Sequence, residues 1–325
     1  MTMKKMPQPI PYQGSKRNLA HKILHVLPAS IDRLVEPFAG SAAISVRAAY
    51  TQQAKRFHLN DLNQPLMTLM QKIINTPDEI ADAYEQLWHQ QLGNERAFYN
   101  EVRDKFNQTH EPDLFLYLLA RCVKAAVRYN SNGQFNQGPD NRRRGRTPQK
   151  MRQDIYAFSE LLQGRTDVSS VNYASIFESI DPISDVVYMD PPYQGTSTGR
   201  NPRYYSGIDF TGLVDFLTKL NRQDVMFALS YDGRKGTKTY GQKLPDSLEL
   251  THFEIDAGRS TQSTLLGGKE MTVESLYLSP ALVAQVDQNL FTQAVSDKLE
   301  ESFSQTDNNK IYVKLKLLIE RIHEN

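Results

Sequence analysis

An apolar run that ends at two prolines constrains the fold of this chain more than any other feature. Residues 186–189 are Val, Val, Tyr and Met, and Asp190, Pro191 and Pro192 follow them directly. An apolar run of this length is typical of a buried strand. Consecutive prolines cannot continue a central strand or a helix, because they lack the backbone N–H group. The sequence therefore predicts a buried strand that ends at an acidic side chain, in a sheet covered on both faces.

Strand and helix patterns alternate along most of the chain. Short apolar runs predict strands at 33–36, 57–60, 168–172, 186–189 and 226–230, and a late antiparallel pair at 248–254 and 272–278. Helical spacing predicts helices at 16–27, 43–50, 153–162 and 209–220, and over most of 64–125. Such alternation predicts an α/β fold with a largely parallel sheet. The long helical segment after the second strand indicates an inserted domain.

Basic residues are concentrated in one segment, although the chain is nearly neutral. Lys and Arg total 38 against 37 Asp and Glu, for a formal net charge of +1, which excludes a uniformly basic nucleic-acid coat protein. Residues 121–152 nevertheless contain nine basic residues and one acidic residue, Asp140. This local concentration is expected of a surface that binds a polyanion. A solvated loop is the alternative interpretation.

The composition also indicates a compartment. Cys122 is the only cysteine, so no disulfide forms within the chain and an intracellular protein is expected. The sequence has neither a long apolar run nor the apolar core of a signal peptide, so we expect a cytoplasmic protein without membrane contact. Cys122 is predicted to be a small core residue in a helix over 120–127 rather than a nucleophile. The scattered histidines predict no metal site.

The segment that follows the buried strand, Asp190-Pro191-Pro192-Tyr193, offers the groups that recognise a planar amino group. A carboxylate and a fixed backbone carbonyl accept its two hydrogens, and an aromatic ring stacks on its face. Stacking contributes about 1–3 kcal/mol, and a charge-assisted hydrogen bond about 1.5–3 kcal/mol. Ligands bind at the carboxyl edge of open α/β sheets. Asp190, Pro191, Pro192 and Tyr193 are therefore the predicted catalytic residues.

Three further segments lie where such a sheet makes its ligand contacts. Residues 36–43, Glu-Pro-Phe-Ala-Gly-Ser-Ala-Ala, join a strand to a helix, and their small side chains let a ligand approach an electropositive helix N-terminus. Asp61 ends the second strand, where an acidic residue commonly holds a ribose diol. Residues 12–16, Tyr-Gln-Gly-Ser-Lys, precede the first helix. The alternative interpretations are structural: an ordinary tight turn at residues 36–43, and helix caps at Asp61 and Ser15.

Together and in this order, these segments resemble those of the Dam-like DNA adenine-N6 methyltransferases, from about Tyr12 to Leu278. Arg128-Tyr129-Asn130 followed by Gly133-Gln134-Phe135-Asn136 is similar to the RYN–GxFN segment of that family, which forms a DNA-facing loop. The family often continues with Pro-Phe-Gly, whereas this chain has Gln137-Gly138-Pro139 and then the arginines. Asn172-Tyr173 stands where the family usually has Asp-Phe.

The resemblance implies a Rossmann-like S-adenosylmethionine-dependent methyltransferase sheet with an inserted, mainly helical target-recognition domain. The implied boundaries are 1–61 and 166–280 for the catalytic domain, 62–165 for the recognition domain and 281–325 for a helical tail. The implied cofactor-binding residues are Tyr12, Lys16, Pro37, Phe38, Gly40, Ser41, Asp61, Tyr173 and Asp190. The implied DNA-binding residues are Arg128, Asn130, Gly133, Asn136, Arg142, Arg143, Arg144 and Arg146.

The implied reaction is transfer of a methyl group from S-adenosylmethionine to the N6 amino group of an adenine flipped out of double-stranded DNA. A restriction endonuclease that acts on the same site is a candidate partner. One alternative is methylation of cytosine N4, whose enzymes more often have Ser in place of Asp190. Others are methylation of a protein glutamine and a catalytically silent DNA-binding relative. Neither the recognition sequence nor the oligomeric state follows from the sequence.

Overall fold

Eight strands and nine α-helices make up the part of the chain that a computed structural model describes, residues 6–192, 209–235, 238–239, 242–259 and 271–285. The strands are β1 (Ile31–Glu36), β2 (Ala54–Asn60), β3 (Thr166–Ser169), β4 (Asp185–Met189), β5 (Met226–Lys235), β6 (Lys238–Thr239), β7 (Thr251–Arg259) and β8 (Met271–Leu278). The α-helices are α1 (Ala20–His25), α2 (Ala43–Tyr50), α3 (Gln64–Asn75), α4 (Pro77–Gln90), α5 (Glu95–Thr109), α6 (Pro112–Arg121), α7 (Pro148–Leu162), α8 (Phe210–Arg222) and α9 (Pro280–Gln285). Short 3-10 helices span Lys16–Asn18, Val123–Ala125, Tyr173–Ser179 and Asp246–Leu248.

The sheet has the strand order β3-β2-β1-β4-β5-β8-β7, and β6 pairs with β5. The first five strands of this order run parallel, and β8 lies antiparallel between β5 and β7. The chain leaves β1 towards β2 and leaves β4 towards β5, so the two connections diverge. A crevice opens at this switch point, outside the carboxyl ends of β1 and β4. The predicted parallel sheet and the late antiparallel pair are both confirmed.

Residues along the central strands alternate between two hydrophobic clusters. On β4, Val186 and Tyr188 join the cluster on one face, whereas Val187 and Met189 join the cluster on the other. All five residues of β4 are buried. Because both faces are covered, the strand reads as a continuous apolar run rather than as an alternating pattern.

The helices between β2 and β3 share one of these clusters with the sheet. Leu69 of α3, Phe115 of α6 and Phe158 of α7 pack in the same cluster as Leu34 of β1 and Tyr188 of β4. Helices α4 and α6 begin at prolines, which fit the first turn of a helix because its N–H groups have no intrahelical partner. The separate recognition domain over 62–165 stays a prediction from the sequence.

Helix boundaries differ from the expectation at several points, most clearly at the end of α6 and the start of α7. The helix predicted over 120–127 is wrong, because α6 ends at Arg121 and the backbone of Cys122 is extended (φ −72°, ψ 157°). Lys124 and Ala125 then adopt left-handed conformations that an α-helix excludes. Cys122 is still a core residue, and burial raises the pKa of its thiol to about 12. Helix α7 begins at Pro148 rather than at 153, with proline again in the first turn.

The end of the chain is only partly described. Helix α9 follows β8, and the rest of the predicted tail, 286–325, lies outside the described residues. Among the helices that the structure describes, none is long and apolar enough to cross a bilayer.

A buried ion pair joins β1 to β4 at the end of the sheet opposite the crevice. Arg33 Nε donates to Asp185 Oδ1 at 2.9 Å, and the Asp185 side chain is fully buried. We expect Arg33→Met to lower the free energy of unfolding by about 3 kcal/mol, because it leaves a buried carboxylate without its counter-ion. Urea denaturation measures this loss.

The matched control for this variant is Arg56→Met, which removes an exposed ion pair between Arg56 on β2 and Asp32 on β1. We expect little change in stability, because solvent screens an exposed pair. Equal losses in the two variants would contradict a special role for the buried pair.

Candidate active site

A cavity of about 450 Å³ opens at the carboxyl edge of the sheet, outside β1 and β4. Segments that follow β1, β2, β3 and β4 form its walls, together with residues 12–16 and the first turn of α8. The implied cofactor-binding residues all line it: Tyr12, Lys16, Pro37, Phe38, Gly40, Ser41, Asp61, Tyr173 and Asp190. Pro191 and Pro192 line the same cavity. Tyr193 lies outside the described residues.

The turn after β1 packs closely against residues 12–16. Gly40 has a left-handed backbone (φ +50°), and a Cβ atom there would lie 3.1 Å from Cε1 of Tyr12. The Ser41 hydroxyl donates to the Ser15 hydroxyl at 2.9 Å. Only glycine fits this position without strain, so the turn presents bare backbone to the cavity.

Glu36, the last residue of β1, connects this turn to helix α2. Its buried carboxylate accepts the N–H group of Ser45 in α2 at 2.8 Å. Burial and the nearby negative charge of Asp190 raise the pKa of Glu36, whereas the bond from Ser45 lowers it. The resulting pKa is about 7. This side chain therefore fixes the start of α2 relative to the end of β1.

Two backbone N–H groups orient the carboxylate of Asp61. Gly40 N donates to Oδ2 at 3.0 Å, and Asn63 N donates to Oδ1 at 3.0 Å. Burial raises the pKa of Asp61, and these two bonds lower it. A carboxylate has about four lone-pair sites, so Asp61 retains capacity to accept hydroxyl groups from the cavity.

Aromatic and apolar side chains form another wall of the cavity. The Phe38 and Tyr173 rings lie 5.1 Å apart, and Tyr173 meets Phe216 edge-on at 5.2 Å. A Cβ atom at Gly212 would lie 3.0 Å from the Tyr173 hydroxyl, so glycine makes room for the ring. Leu62 and Val171 are exposed apolar residues that line the same cavity. This wall suits a flat, partly apolar ring system.

The ammonium group of Lys16 lies between two carboxylates. Its Nζ is 2.9 Å from Asp190 Oδ1 and 3.6 Å from Glu274 Oε2, and the lysine side chain is 8% exposed. Burial raises the pKa of Asp190, Lys16 lowers it, and Glu274 raises it. Lys16 therefore favours the ionised form of an acid that its surroundings would otherwise protonate.

The predicted DNA-facing segment forms a short hairpin beside the cavity. Tyr129 bridges to Phe135, and the N–H group of Asn136 donates to the Arg128 carbonyl at 3.0 Å. Asn130 closes the turn, because its side-chain oxygen accepts the N–H groups of residues 132 and 134. Gly133, with φ +73°, is exposed in this turn. The loop or hairpin predicted over 129–150 is confirmed in this part.

The four predicted DNA-binding arginines that follow the hairpin, within residues 142–146, have different surroundings. Arg142 and Arg143 are 85% and 80% exposed, with weak ion pairs to Asp140 at 3.6 and 3.7 Å. Arg144 pairs with Glu95 at 3.0 Å. Arg146 is mostly buried, pairs with Asp154, and donates to the Gln8 carbonyl at 2.6 Å. Arg142 and Arg143 are thus more accessible than Arg146.

Sequence reasoning assigned no role to several residues that the structure places at the cavity or beside it. Among them are the polar residues Glu36, Asn63, Asp209 and Glu274. Asn63 and Asp209 carry a local signal, since each caps a helix by accepting an N–H group three residues later. Glu274 has no such signal, because its contact with Lys16 arises from the position of β8. Among the described residues, no cluster of His, Cys, Asp or Glu is arranged to hold a metal ion.

The sheet order and the position of the cavity at its carboxyl edge are consistent with the Rossmann-like fold of methyltransferases. The family model described as "D12 class N6 adenine-specific DNA methyltransferase" matches residues 12–255, most of the chain. The protein therefore belongs to this family.

Three relatives show how far the similarity extends. The DNA N-6-adenine-methyltransferase of Escherichia phage P1 is 29% identical over 68% of this chain and 29% of its own length. Modification methylase StsI of Streptococcus sanguinis is 30% identical over 85% of this chain and 44% of its own length. The retron Ec67 DNA adenine methylase of Escherichia coli is 31% identical over 77% of this chain and 83% of its own length. The chain thus spans less than half of the first two relatives and most of the third.

Proposed function

We propose that the protein transfers a methyl group from S-adenosylmethionine to the N6 amino group of adenine in double-stranded DNA. One observation carries the proposal: the Asp190-Pro191-Pro192 segment opens into the same cavity as Asp61 and the Phe38–Tyr173 ring pair. One region of the cavity suits an amino group, and another suits a nucleoside. The family and the names of two of the three relatives, both of which mention adenine, support the same target.

The residues present fit S-adenosylmethionine. Asp61 has lone pairs left for the ribose hydroxyls, and Phe38 and Tyr173 would hold the adenine ring of the cofactor. The bare backbone at Gly40 leaves room that a Cβ atom would fill. When bound, S-adenosylmethionine supplies a methyl group on a positively charged sulfur. The carboxylates at the cavity complement that charge.

The target amino group would bind at Asp190. In this proposal the carboxylate of Asp190 and the carbonyl of Pro191 accept its two hydrogens, which makes its lone pair more available. A carboxylate accepts several hydrogen bonds, so the contact of Asp190 with Lys16 leaves capacity for this one. Tyr193 is proposed to stack on the base. Alignment of the amino group contributes much of the rate acceleration.

Methylation of cytosine N4 is the alternative with the closest chemistry, since its amino group makes the same hydrogen bonds. Incubation with labelled S-adenosylmethionine and DNA, followed by nucleoside analysis, separates the possibilities. Labelled N6-methyladenine supports the proposal. Labelled N4-methylcytosine, or no label in DNA, refutes it.

The DNA site and its biological setting need a second experiment. The streptococcal relative is named a modification methylase, which makes a restriction endonuclease of the same specificity a candidate partner. Expression of this chain in methylation-free cells, followed by modification-sensitive sequencing, identifies the methylated site. That site then tests which endonucleases its methylation blocks.

We expect Asp190→Ala to reduce methyl transfer at least about 100-fold, because it removes a preorganised acceptor of the amino group. Incorporation of labelled methyl groups into DNA measures the rate, and circular dichroism checks the fold. Asp246→Ala, which changes an exposed residue of a 3-10 helix, is the control and keeps wild-type activity. A rate for Asp190→Ala above about a tenth of wild type would remove Asp190 from its proposed role.

Glu274→Gln is expected to move the acid limb of the pH–rate profile to lower pH. The negative charge of Glu274 raises the pKa of Asp190, and the proposed reaction needs Asp190 in its ionised form to accept one of the amino hydrogens. Activity is lost as the pH falls through the pKa of Asp190, so lowering that pKa extends activity into more acid solution.

The control for this profile is Glu254→Gln. Glu254 pairs with Ser275, the neighbour of Glu274 on β8, and so lies on the opposite face of the sheet. We expect its acid limb to match wild type. An acid limb for Glu274→Gln that stays in place, or moves to higher pH, would contradict the electrostatic coupling.

The exposed arginines are expected to contact DNA phosphates. Arg142→Ala and Arg143→Ala should each flatten the log–log dependence of DNA affinity on salt by about 0.9, the value of one phosphate contact. Arg146→Ala should leave this slope unchanged and lower the melting temperature, because Arg146 pairs with Asp154. Binding titrations over a salt series test this. Wild-type slopes in both exposed variants would show that this segment is only a solvated loop.

A further inference from the structure

We propose that Asn63 is a positioning residue that couples the cofactor pocket to the DNA-facing hairpin, residues 128–136, through the hydroxyl of Tyr129. The proposal rests on the proposed function, because that function assigns the pocket to the cofactor and the hairpin to DNA. It adds a physical route by which each ligand changes the affinity of the other.

A continuous series of hydrogen bonds runs from the pocket wall to the hairpin. Gly40 N donates to Asp61 Oδ2 at 3.0 Å, and Asn63 N donates to Asp61 Oδ1 at 3.0 Å. Tyr129 in the hairpin donates its hydroxyl to Asn63 Oδ1 at 3.1 Å. Asn63 therefore holds the proposed ribose acid with its backbone and the hairpin with its side chain.

Burial protects this series of hydrogen bonds from competition with water. Asn63 is 4% exposed and Tyr129 is 5% exposed, so water does not readily replace their hydrogen bond. The same Oδ1 atom of Asn63 also accepts Leu66 N at 3.3 Å, which caps α3. If Asn63 moved, both the first turn of α3 and the hydroxyl of Tyr129 would lose an acceptor. The pocket, helix α3 and the hairpin therefore all depend on the position of Asn63.

Other contacts hold the same segment without reaching the pocket. Asn107 of α5 both donates to and accepts from the backbone of Phe135, at 3.1 and 2.8 Å. Tyr99 of α5 donates its hydroxyl to the Gln137 carbonyl at 2.8 Å. These contacts anchor the hairpin and the residue that follows it to helix α5. The Tyr129–Asn63 bond differs from them because it ends at a residue that also binds Asp61.

The expected consequence is a linkage between the two ligands. Hydroxyl groups bound to Asp61 hold that carboxylate against Asn63, and DNA bound to the hairpin holds Tyr129 against the same residue. Each ligand then orders a contact that the other needs. Linkage of this kind is reciprocal, so DNA and cofactor tighten each other's binding by the same factor.

The test compares Tyr129→Phe with the matched variant Tyr99→Phe, since each removes one buried hydroxyl that holds the segment. Calorimetry measures the affinity for S-adenosylhomocysteine, alone and with a saturating duplex selected for binding from a random-sequence pool. In wild type and Tyr99→Phe, we expect the duplex to increase this affinity by the same factor. In Tyr129→Phe, we expect the factor to fall about fivefold, the effect of one hydrogen bond.

Three results would overturn the proposal: no linkage in wild type, an unchanged factor in Tyr129→Phe, or an equal loss in Tyr99→Phe. Melting temperatures confirm that both variants are folded. The readout is binding alone, so it is separate from the proposed reaction. If the wild-type protein methylates adenine and Tyr129→Phe keeps the full factor, only the coupling fails. If the linkage depends on Tyr129 but no methyl group reaches adenine, only the proposed reaction fails.

Discussion

The side chain of Asn60 joins three of the strand ends on which the candidate active site is built. This buried amide donates to the carbonyls of Pro37, after β1, and Val171, after β3, both at 3.0 Å. Its oxygen accepts from the Ser169 hydroxyl at 2.8 Å and from Val171 N at 2.9 Å. A buried amide with satisfied donors and acceptors is rigid, whereas an unsatisfied one is costly. The turn after β1, Asp61 and the segment before Tyr173 therefore keep fixed positions relative to one another.

Electrostatics at the other side of the cavity depend on Lys16. Asp190, Glu36 and Glu274 bring three acidic side chains to one region, where burial raises the pKa of Asp190 and of Glu36. The ammonium group of Lys16 contacts Asp190 and Glu274 and lowers the pKa of Asp190. In the proposed function, acidic residues favour the positively charged cofactor, but the acid proposed to bind the target amino group must stay ionised. The buried ammonium group of Lys16 serves the second requirement, because it lowers the pKa of Asp190.

The basic segment shows how far charge counting can predict a surface. Nine basic residues lie between 121 and 152, yet several neutralise acids of the protein itself. Arg152 pairs with Asp82 and Glu85 of α4, and Arg146 pairs with Asp154 of α7. Part of the local charge therefore holds the helices and the loop together. The proposed DNA contacts fall to the exposed residues of the segment, above all Arg142 and Arg143.

The sequence by itself determined seven of the eight described strands, the helix breaks, the hairpin and the order of the motifs, because apolar patterning, prolines and turn residues act over a few neighbours. It also placed Asp61 and Asp190 at strand ends, where a parallel sheet brings distant segments to one edge. It misjudged the end of α6, where Cys122 is extended and pairs with Pro139. Only the tertiary structure decided which residues meet across long separations: Glu274 with Lys16, Tyr129 with Asn63, and Arg146 with Asp154. Each of these contacts depends on how whole elements pack, and packing leaves no signal in the local pattern of either partner.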